Sequence, residues 1–190
     1  MALIVSVDGF TPEVHPTAWV APNATLVGRV KIEAKASVYY GSVLRGDINE
    51  IVLGEGSNIQ DNCVVHTETD SPTIIGKYVG VGHNAVIHCA KVGDGALIGM
   101  GAVLLANAVI GDGAFVAAGA LVREGQEIPA HHLAVGVPAK DRGPMDDETA
   151  ARVAANAIEY LDITESNRNG TIQPHAEHQK GLVDFATGVA

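Results

Sequence analysis

Hydrophobic positions in the second half of the chain recur every six residues. From residue 92 onward, the branched or long aliphatic residues are Val92, Ile98, Leu104, Ile110, Val116 and Val122. The first five are each followed, four places later, by an alanine: Ala96, Ala102, Ala108, Ala114 and Ala120. A strand alternates with period 2 and an amphipathic helix repeats near 3.6, so neither explains this step. The pattern predicts a solenoid in which every hexapeptide forms a short strand and a corner.

The same step occurs in the first half of the chain and is interrupted in the middle. The aliphatic repeat positions there are Val20, Leu26, Ile32, Val38 and Leu44. Three hexapeptides close one triangular turn, so about eighteen residues form one coil that packs against the next. The repeat breaks between Arg45 and Cys63, and again over residues 67–72. An interruption of an otherwise regular pattern is where a functional site is expected.

Glycines and a final helix complete the predicted architecture. Corner positions are assigned to Gly93, Gly99, Gly111 and Gly113, because a tight corner needs a permissive backbone. The repeat resembles the left-handed parallel β-helix of hexapeptide-repeat proteins, and the resemblance alone supplies the hand. We expect this all-β solenoid domain to span residues 1–143. Residues 144–169 predict a helix packed along a flat side of the coil, and residues 170–190 form a tail.

The predicted helix has both a cap and an apolar stripe. Asp146 or Asp147 is placed to cap its first turn. One face carries Ala150, Val153, Ala154, Ala157, Ile158 and Leu161. This face is expected to pack against the coil.

Composition restricts the class of partner. The formal net charge of −10 at pH 7 opposes binding to nucleic acid or to an anionic membrane, because both would repel the protein. No stretch reaches the roughly eighteen apolar residues of a membrane span, and the first ten residues lack a signal-peptide pattern, so we expect a cytoplasmic protein. Cys63 and Cys89 make no disulfide framework and are interpreted as small buried residues.

Three of the eight histidines, His66, His83 and His88, lie in the interrupted part of the repeat. Seventeen residues separate His66 from His83, close to one coil, so the spacing places these two near one corner. His88 is expected to project from a different side. Neutral imidazoles bind zinc, iron or cobalt, and three of them leave an open position for hydration or hydrolysis. Each histidine alone is more often structural, but the group indicates a metal site shared between two chains.

Polar residues lie in the same region. Asn58, Gln60 and Asp61 shortly precede the first of these histidines, and Arg45 and Asp47 lie about one coil earlier. Arg45 and Asp61 are placed to form a charge-assisted pair at a subunit interface. Asp47 and Gln60 are placed to orient a water or an oxyanion. The alternative is a solvated corner in which Asn and Asp serve as turn residues.

The segments LRGDINEIVLGEGSNIQDNCVVH and VGVGHNAVIH closely resemble the γ-class carbonic anhydrases, and the resemblance covers roughly residues 10–142. It implies a homotrimer in which His66 and His88 of one subunit and His83 of its neighbour bind the metal. The expected cofactor is Zn²⁺, with Fe²⁺ or Co²⁺ as alternatives. The resemblance also implies further roles: orientation of hydroxide or bicarbonate for Asp47 and Gln60, a pocket residue for Asn58, and an intersubunit ion pair for Arg45 and Asp61.

Two departures place the chain in a short-loop branch of that family. Ile48 follows Asp47, where the best-studied branch has a glutamate. Residues 67–72 replace a long acidic loop that carries a proton-shuttling glutamate. Glu68 and Asp70 are the remaining acids for such a relay, and neither is favoured by the sequence. Members of this branch vary from active to inactive.

The leading hypothesis is a lyase reaction, the metal-dependent reversible hydration of CO2 to bicarbonate at trimer interfaces. One alternative is a non-catalytic metal-binding or scaffold subunit. Others are CoA-dependent acyl transfer, which on this fold usually needs a histidine on a protruding loop, and thioester hydrolysis at the same metal site. The remaining histidines near the end of the chain are interpreted as exposed bystanders: His131, His132, His175 and His178.

Overall fold

A computed structural model describes residues 2–170 of the chain. Within them, twenty strands are followed by one helix, α1 (Asp147–Arg168). The strands are β1 (Leu3–Val5), β2 (Glu13–Val14), β3 (Trp19–Val20), β4 (Thr25–Ile32), β5 (Ser37–Val38), β6 (Val43–Leu53), β7 (Asn58–Ile59), β8 (Val64–His66), β9 (Thr73–Ile75), β10 (Gly80–Val81), β11 (Val86–His88), β12 (Lys91–Val92), β13 (Leu97–Ile98), β14 (Val103–Leu104), β15 (Val109–Ile110), β16 (Phe115–Val116), β17 (Leu121–Val122), β18 (Glu127–Ile128), β19 (His132–Val135) and β20 (Lys140–Pro144). The predicted tail, apart from Gly170, lies outside the described residues, as do His175 and His178.

The strands stack in parallel to form three flat faces of a solenoid. Face A contains β3, β5, β7, β10, β13, β16 and β19, with β20 antiparallel at its end. Face B contains β1, the first halves of β4 and β6, and then β8, β11, β14 and β17. Face C contains β2, the second halves of β4 and β6, and then β9, β12, β15 and β18. The coil makes about seven turns and is the left-handed parallel β-helix that the sequence predicts.

The repeat positions form the interior of the coil. All six aliphatic side chains from Val92 to Val122 are buried, and the most exposed of them, Val92, retains 3% of its surface. The five alanines that follow them are at most 1% exposed. Removing one such aliphatic side chain from water is worth about 1.5–3 kcal/mol, so stacking coil upon coil supplies the main stabilising term. The interpretation of the six-residue period is therefore confirmed.

The first interruption of the repeat is a set of extra residues in β6. Gly28 pairs with Gly46, eighteen residues further on, whereas Val30 pairs with Ile51, twenty-one residues further on. Three additional residues therefore lie at the corner where β6 passes from face B to face C. They displace the side chains of this corner outward from the regular coil.

The second interruption lies at the same corner, one coil further along. Val64 pairs with Val86, twenty-two residues on, because the loop over residues 67–72 lengthens this turn. The side-chain amide of Asn49, in the β6 insertion, donates to the carbonyl oxygen of Glu68 in this loop, at 3.2 Å. The two insertions are thus joined, and together they enclose one end of β8.

Helix α1 packs on face A. Its N-cap is Asp146, whose carboxylate accepts from the backbone N–H of Thr149 at 2.7 Å, and this bond lowers the pKa of Asp146. Further along, the hydroxyls of Tyr39 and Thr164 are 2.8 Å apart. The buried residues of the helix are Val153, Ala157 and Thr164. The predictions for Ala154 and Ile158 are wrong, because both are exposed, Ile158 at 54%, and the buried row continues through Thr164 instead.

Two features bear on the class of protein. In the described part of the chain, no helix combines the length and the hydropathy that crossing a bilayer requires. Cys63 and Cys89 are free thiols, and both are buried. Burial raises the pKa of Cys63 to about 12, so this thiol stays protonated at neutral pH.

Candidate metal centre

His66 and His88 lie side by side at one end of face B. Each is the last residue of its strand, β8 or β11, and the two residues are direct partners in the parallel ladder. Their ring centroids are 5.3 Å apart, and Nδ1 of His66 lies 3.3 Å from Nε2 of His88. The His66 side chain is 15% exposed and that of His88 is 32% exposed. The pair therefore presents two ring nitrogens to one point at the protein surface.

The spacing argument that pairs His66 with His83 is wrong. The loop at residues 67–72 makes this coil twenty-two residues long, so the residue one turn above His66 is His88. His83 lies in the corner that precedes β11, at the opposite edge of face B. There its Nδ1 is 2.8 Å from Oδ2 of Asp61. Counting residues measures position along the coil only where no insertion intervenes.

Asp47 contacts the His66 ring on the side away from His88. It belongs to the β6 insertion, its Oδ1 lies 3.1 Å from Nε2 of His66, and its Oδ2 accepts a hydrogen bond from Arg45. Partial burial opposes ionisation of Asp47, but the hydrogen bonds from Arg45 and His66 outweigh it, so the pKa of Asp47 is below its usual value. An ionised carboxylate can only accept, so His66 donates through Nε2, and as a neutral ring it keeps the Nδ1 lone pair for a ligand.

Glu68 and Cys89 flank His88 on its other side. Nδ1 of His88 is 3.7 Å from Oε1 of Glu68 and 3.5 Å from Sγ of Cys89. Burial, together with the charge of Glu68, raises the pKa of Cys89 to about 11. The sequence interpretation of Cys89 as a small buried residue missed this contact, although its position directly after a candidate ligand was a usable signal. Asp70, the other acid of the loop, lines an open groove beside Glu68.

The polar residues Asn58, Gln60 and Asp61 lie near His83, at the opposite edge from His66. Nε2 of Gln60 donates to Oδ1 of Asn58 at 3.1 Å, and both side chains are buried, at 4% and 1% exposure. Asp61 follows directly and makes the contact with His83 described above. The predicted site residues therefore fall into two groups. We call the group around His66, His88 and Asp47 the first half-site, and the group around His83 and Gln60 the second.

Arg45 and Asp61 belong to different half-sites. Arg45 is the ladder partner of His66 and its guanidinium binds Asp47. Asp61 contacts His83. The residue count that placed Arg45 and Asp61 one coil apart is therefore wrong, because the β6 insertion intervenes. The ion pair between subunits stays a prediction.

The surface between the two half-sites is apolar. The outward positions of successive strands on face B carry Val43, Val64, Val86, Val103 and Leu121. Val64 is 43% exposed, although it lies at the centre of the coil's length. Helix α1 packs on face A and does not cover this row.

Known proteins identify the family. The chain is 40% identical over 168 residues, 85% of its length, to "Gamma carbonic anhydrase 2, mitochondrial" of Arabidopsis thaliana, and spans 60% of that protein. It is 46% identical over 147 residues to a "Probable carbonic anhydrase" of Methanocaldococcus jannaschii, covering 77% of this chain and 92% of that protein. The chain belongs to the γ-class carbonic anhydrase family. "Carnitine operon protein CaiE" of Proteus sp. is 37% identical over 172 residues, covering 90% of this γ-class chain and 86% of CaiE.

Solved structures and a family model agree on the fold of this γ-class protein. A hexapeptide transferase family protein from Anaplasma phagocytophilum is 39% identical with a TM-score of 0.83, covering 86% of this chain and 97% of that one. A putative acetyltransferase of Bacillus cereus is 32% identical with a TM-score of 0.86, covering 87% and 96%. The bacterial transferase hexapeptide model (six repeats) matches residues 89–124. The fold is thus shared with proteins named for a different reaction.

Membership in the γ-class carbonic anhydrase family implies a metal cofactor, and the first half-site fits one. Two imidazole nitrogens on a tetrahedral zinc ion, each about 2.0–2.1 Å from the metal, are roughly 3.3 Å apart. The facing nitrogens of His66 and His88 are separated by 3.3 Å. Glu68, His88 and Cys89 form a second ligand set, with donor atoms within 4.8 Å of one another. This set contains only one imidazole, whereas the first half-site has two facing imidazole nitrogens at a separation that suits zinc, so the first half-site is the better one.

Proposed function

We propose that this protein catalyses the metal-dependent reversible hydration of CO2 to bicarbonate at sites shared between two copies of the chain. The observation that carries the proposal is the separation of the two half-sites at opposite edges of one flat face. His66 and His88 provide two ligands at one edge, and His83 lies at the other. Contact between the edges of two copies would supply the third imidazole.

A ring of three copies accommodates this arrangement. If face B of every copy points towards a common axis, each first half-site meets the second half-site of its neighbour, and the ring closes. The apolar row that includes Val64 would then be buried around the axis. Arg45 of one copy would pair with the equivalent of Asp61 in its neighbour, and this ion pair would fix how the two edges align. A homotrimer is therefore part of the proposal.

Three imidazoles determine the class of metal. His66, His88 and the neighbouring copy's equivalent of His83 would hold Zn²⁺, with Fe²⁺ or Co²⁺ as alternatives, and leave one position open. The chemistry that such an ion supplies when bound is a hydroxide nucleophile near neutral pH, because it lowers the pKa of water. The protein's own task is then to place that nucleophile and CO2 and to exclude other solvent.

Asp47 would order the site through His66, and Gln60 would help to place the nucleophile. The pKa of Asp47 is below its usual value, so its carboxylate remains an acceptor at neutral pH and fixes the orientation of His66. Gln60 is held by Asn58 and approaches from the opposite half-site. The valine row beside both half-sites offers CO2 an apolar wall. Asp47 would therefore act through His66, whereas Gln60 and the valine row would contact the reactants.

The decisive experiment combines metal analysis with stopped-flow CO2 hydration. Protein loaded with zinc, iron or cobalt should carry close to one ion per chain and should lose hydration activity when a chelator removes it. His66→Ala should remove most of the bound metal and the activity, because a two-ligand site binds weakly. His132→Ala is the matched control. His132 contacts Asp141 at the end of the coil, so this substitution should leave the metal content and the hydration activity unchanged. Full activity without metal would contradict the proposal.

A metal-binding subunit without turnover is the second candidate function. Its support is the short loop at residues 67–72, in which only Glu68 approaches the histidines, at 3.7 Å from His88, with a side chain that is 56% exposed. Proton release to solvent would then depend on one exposed acid. A protein that binds metal and forms trimers but shows no hydration in the same assay would support this candidate.

A further inference from the structure

Two complementary polar atoms lie unpaired and buried between helix α1 and face A. Among residues 2–170, the side-chain nitrogens and oxygens that are buried without a hydrogen-bond partner are Nδ2 of Asn58 and Oδ1 of Asn156. One is a donor and the other an acceptor. Buried polar groups in folded proteins are nearly always hydrogen-bonded, so an unpaired donor and an unpaired acceptor at one junction require an explanation.

Both atoms belong to the same small region of the junction. Asn58 in β7 is the direct ladder partner of Gly80 in β10. A Cβ atom added at Gly80 would lie 2.1 Å from Oδ1 of Asn156. The Asn156 carboxamide therefore rests on the backbone of Gly80, one strand away from Asn58, and neighbouring strands are about 4.8 Å apart. The missing side chain at Gly80 allows the helix to bring its amide to this point.

We propose that Asn156 is a positioning residue for Gln60, acting through Asn58. Oδ1 of Asn156 accepts a hydrogen bond from Nδ2 of Asn58, which a rotation about the soft terminal torsion of Asn156 permits. Oδ1 of Asn58 then faces Gln60 and accepts from its Nε2, at the observed 3.1 Å. The inference rests on the proposed function, in which Gln60 faces the reacting species.

This series of hydrogen bonds fixes which end of each carboxamide points in which direction. A carboxamide has nearly the same shape when it is turned by 180°, so its two ends are distinguished only by their hydrogen-bond partners. Without an acceptor beyond it, Asn58 can turn and present Nδ2 to Gln60, and Gln60 must then turn as well. Asn156, the last residue in this series of hydrogen bonds, therefore determines whether the oxygen or the nitrogen of Gln60 faces the open side of the site.

Kinetics on three variants of the metal-loaded protein test the inference. Asn156→Leu keeps the size and apolar packing but removes the acceptor, and kcat/KM for CO2 hydration should fall about tenfold with metal content unchanged. Asn156→Asp retains an acceptor oxygen and should preserve most of the activity. Asn167→Leu is the matched control on the same helix, because Asn167 accepts from Tyr40 and lies away from Asn58. Equal activity in both leucine variants would overturn the inference.

A readout that needs no turnover separates this inference from the proposed function. In the NMR spectrum, the side-chain NH2 signals of Asn58 and Gln60 should shift in Asn156→Leu and remain near their normal positions in Asn167→Leu. Gly80→Ala should cause the same shifts, since its Cβ displaces Oδ1 of Asn156. Unchanged signals in both Asn156→Leu and Gly80→Ala would refute the relay, even in an active enzyme. Shifted signals in a protein without hydration activity would support the relay and refute only the proposed function.

Discussion

At the scale of single residues, His66 shows how contacts on both sides of a ring assign it one role. Asp47 accepts from its Nε2, so the other nitrogen, facing His88, is left to bind a ligand. His132 makes a similar contact with Asp141, at 2.9 Å, but its ladder partner is Pro144 and not a second histidine. Both His66 and His132 therefore contact a carboxylate. Only His66 also has a histidine, His88, as its ladder partner, and this makes it a candidate metal ligand.

This difference leads to a prediction for Asp47→Asn. An asparagine has no negative charge and can turn its NH2 group towards His66, so the ring loses its preferred orientation. We expect metal affinity to fall about 10–100-fold, measured by competition with a chelator of known affinity. Asp141→Asn is the control, and it should leave metal affinity unchanged. If the metal affinity of Asp47→Asn equalled that of the unaltered protein, Asp47 would have no orienting role.

At the scale of elements, the corners of the coil explain the glycine pattern in more than one way. Gly113 has φ +60°, so the predicted need for backbone freedom holds there. Gly99 is not among the residues with positive φ. A Cβ at Gly99 would instead lie 2.4 Å from the backbone nitrogen of Ala118 in the next coil. Glycine at this corner permits the close approach of successive coils.

Two glycine-to-alanine substitutions should separate these causes. Gly99→Ala forces backbone in the next coil to move, and we expect it to lower the free energy of unfolding by about 3 kcal/mol. Gly119→Ala meets no atom within 4 Å but has φ +67°, and its cost should be about 1–2 kcal/mol. Chemical denaturation of both variants provides the measurement. A larger loss for Gly119→Ala would mean that backbone strain, and not coil spacing, governs these corners.

At the scale of the whole molecule, face B carries an exposed apolar row between two half-sites, neither of which is a complete metal site. The two half-sites border face B, and the row of outward valines and a leucine runs between them. Helix α1 packs on face A. One closed assembly would complete the site and cover the apolar row at the same time, which is the physical argument for the proposed trimer.

Val64→Glu tests that assembly. A charge at the centre of face B would be buried without a partner at the proposed axis, so we expect the variant to be monomeric and to lose metal-dependent hydration while the coil stays folded. Val109→Glu is the matched control, because Val109 is an outward residue of a short strand on face C with similar exposure, 37% against 43%. Light scattering after gel filtration gives the mass, and circular dichroism reports the fold. A trimeric Val64→Glu variant would exclude face B as the interface.

The candidate site was predicted in part. The motif around Arg45–His66 and the second motif at His83–His88 indicated the family through their resemblance to it, and the family is confirmed. The roles assigned to the residues of these motifs stay predictions. Spacing alone gave the wrong neighbours, pairing His66 with His83 and placing Arg45 close to Asp61. The position of Cys89 directly after His88 was a signal that the interpretation of Cys89 did not use. Nothing in the sequence indicated that Asn156 reaches Gly80.

By itself, the sequence determined the coil, because aliphatic side chains that recur every six residues are buried together when each hexapeptide forms one side of a turn. It also determined where the coil is interrupted. The tertiary structure decided which residues meet at the interruptions. The extra residues in β6 and the loop at residues 67–72 shift the register of the later positions, and the loop makes His88, not His83, the ladder partner of His66. Position around a solenoid is set by the number of residues actually wound into each turn, and that number follows from backbone pairing.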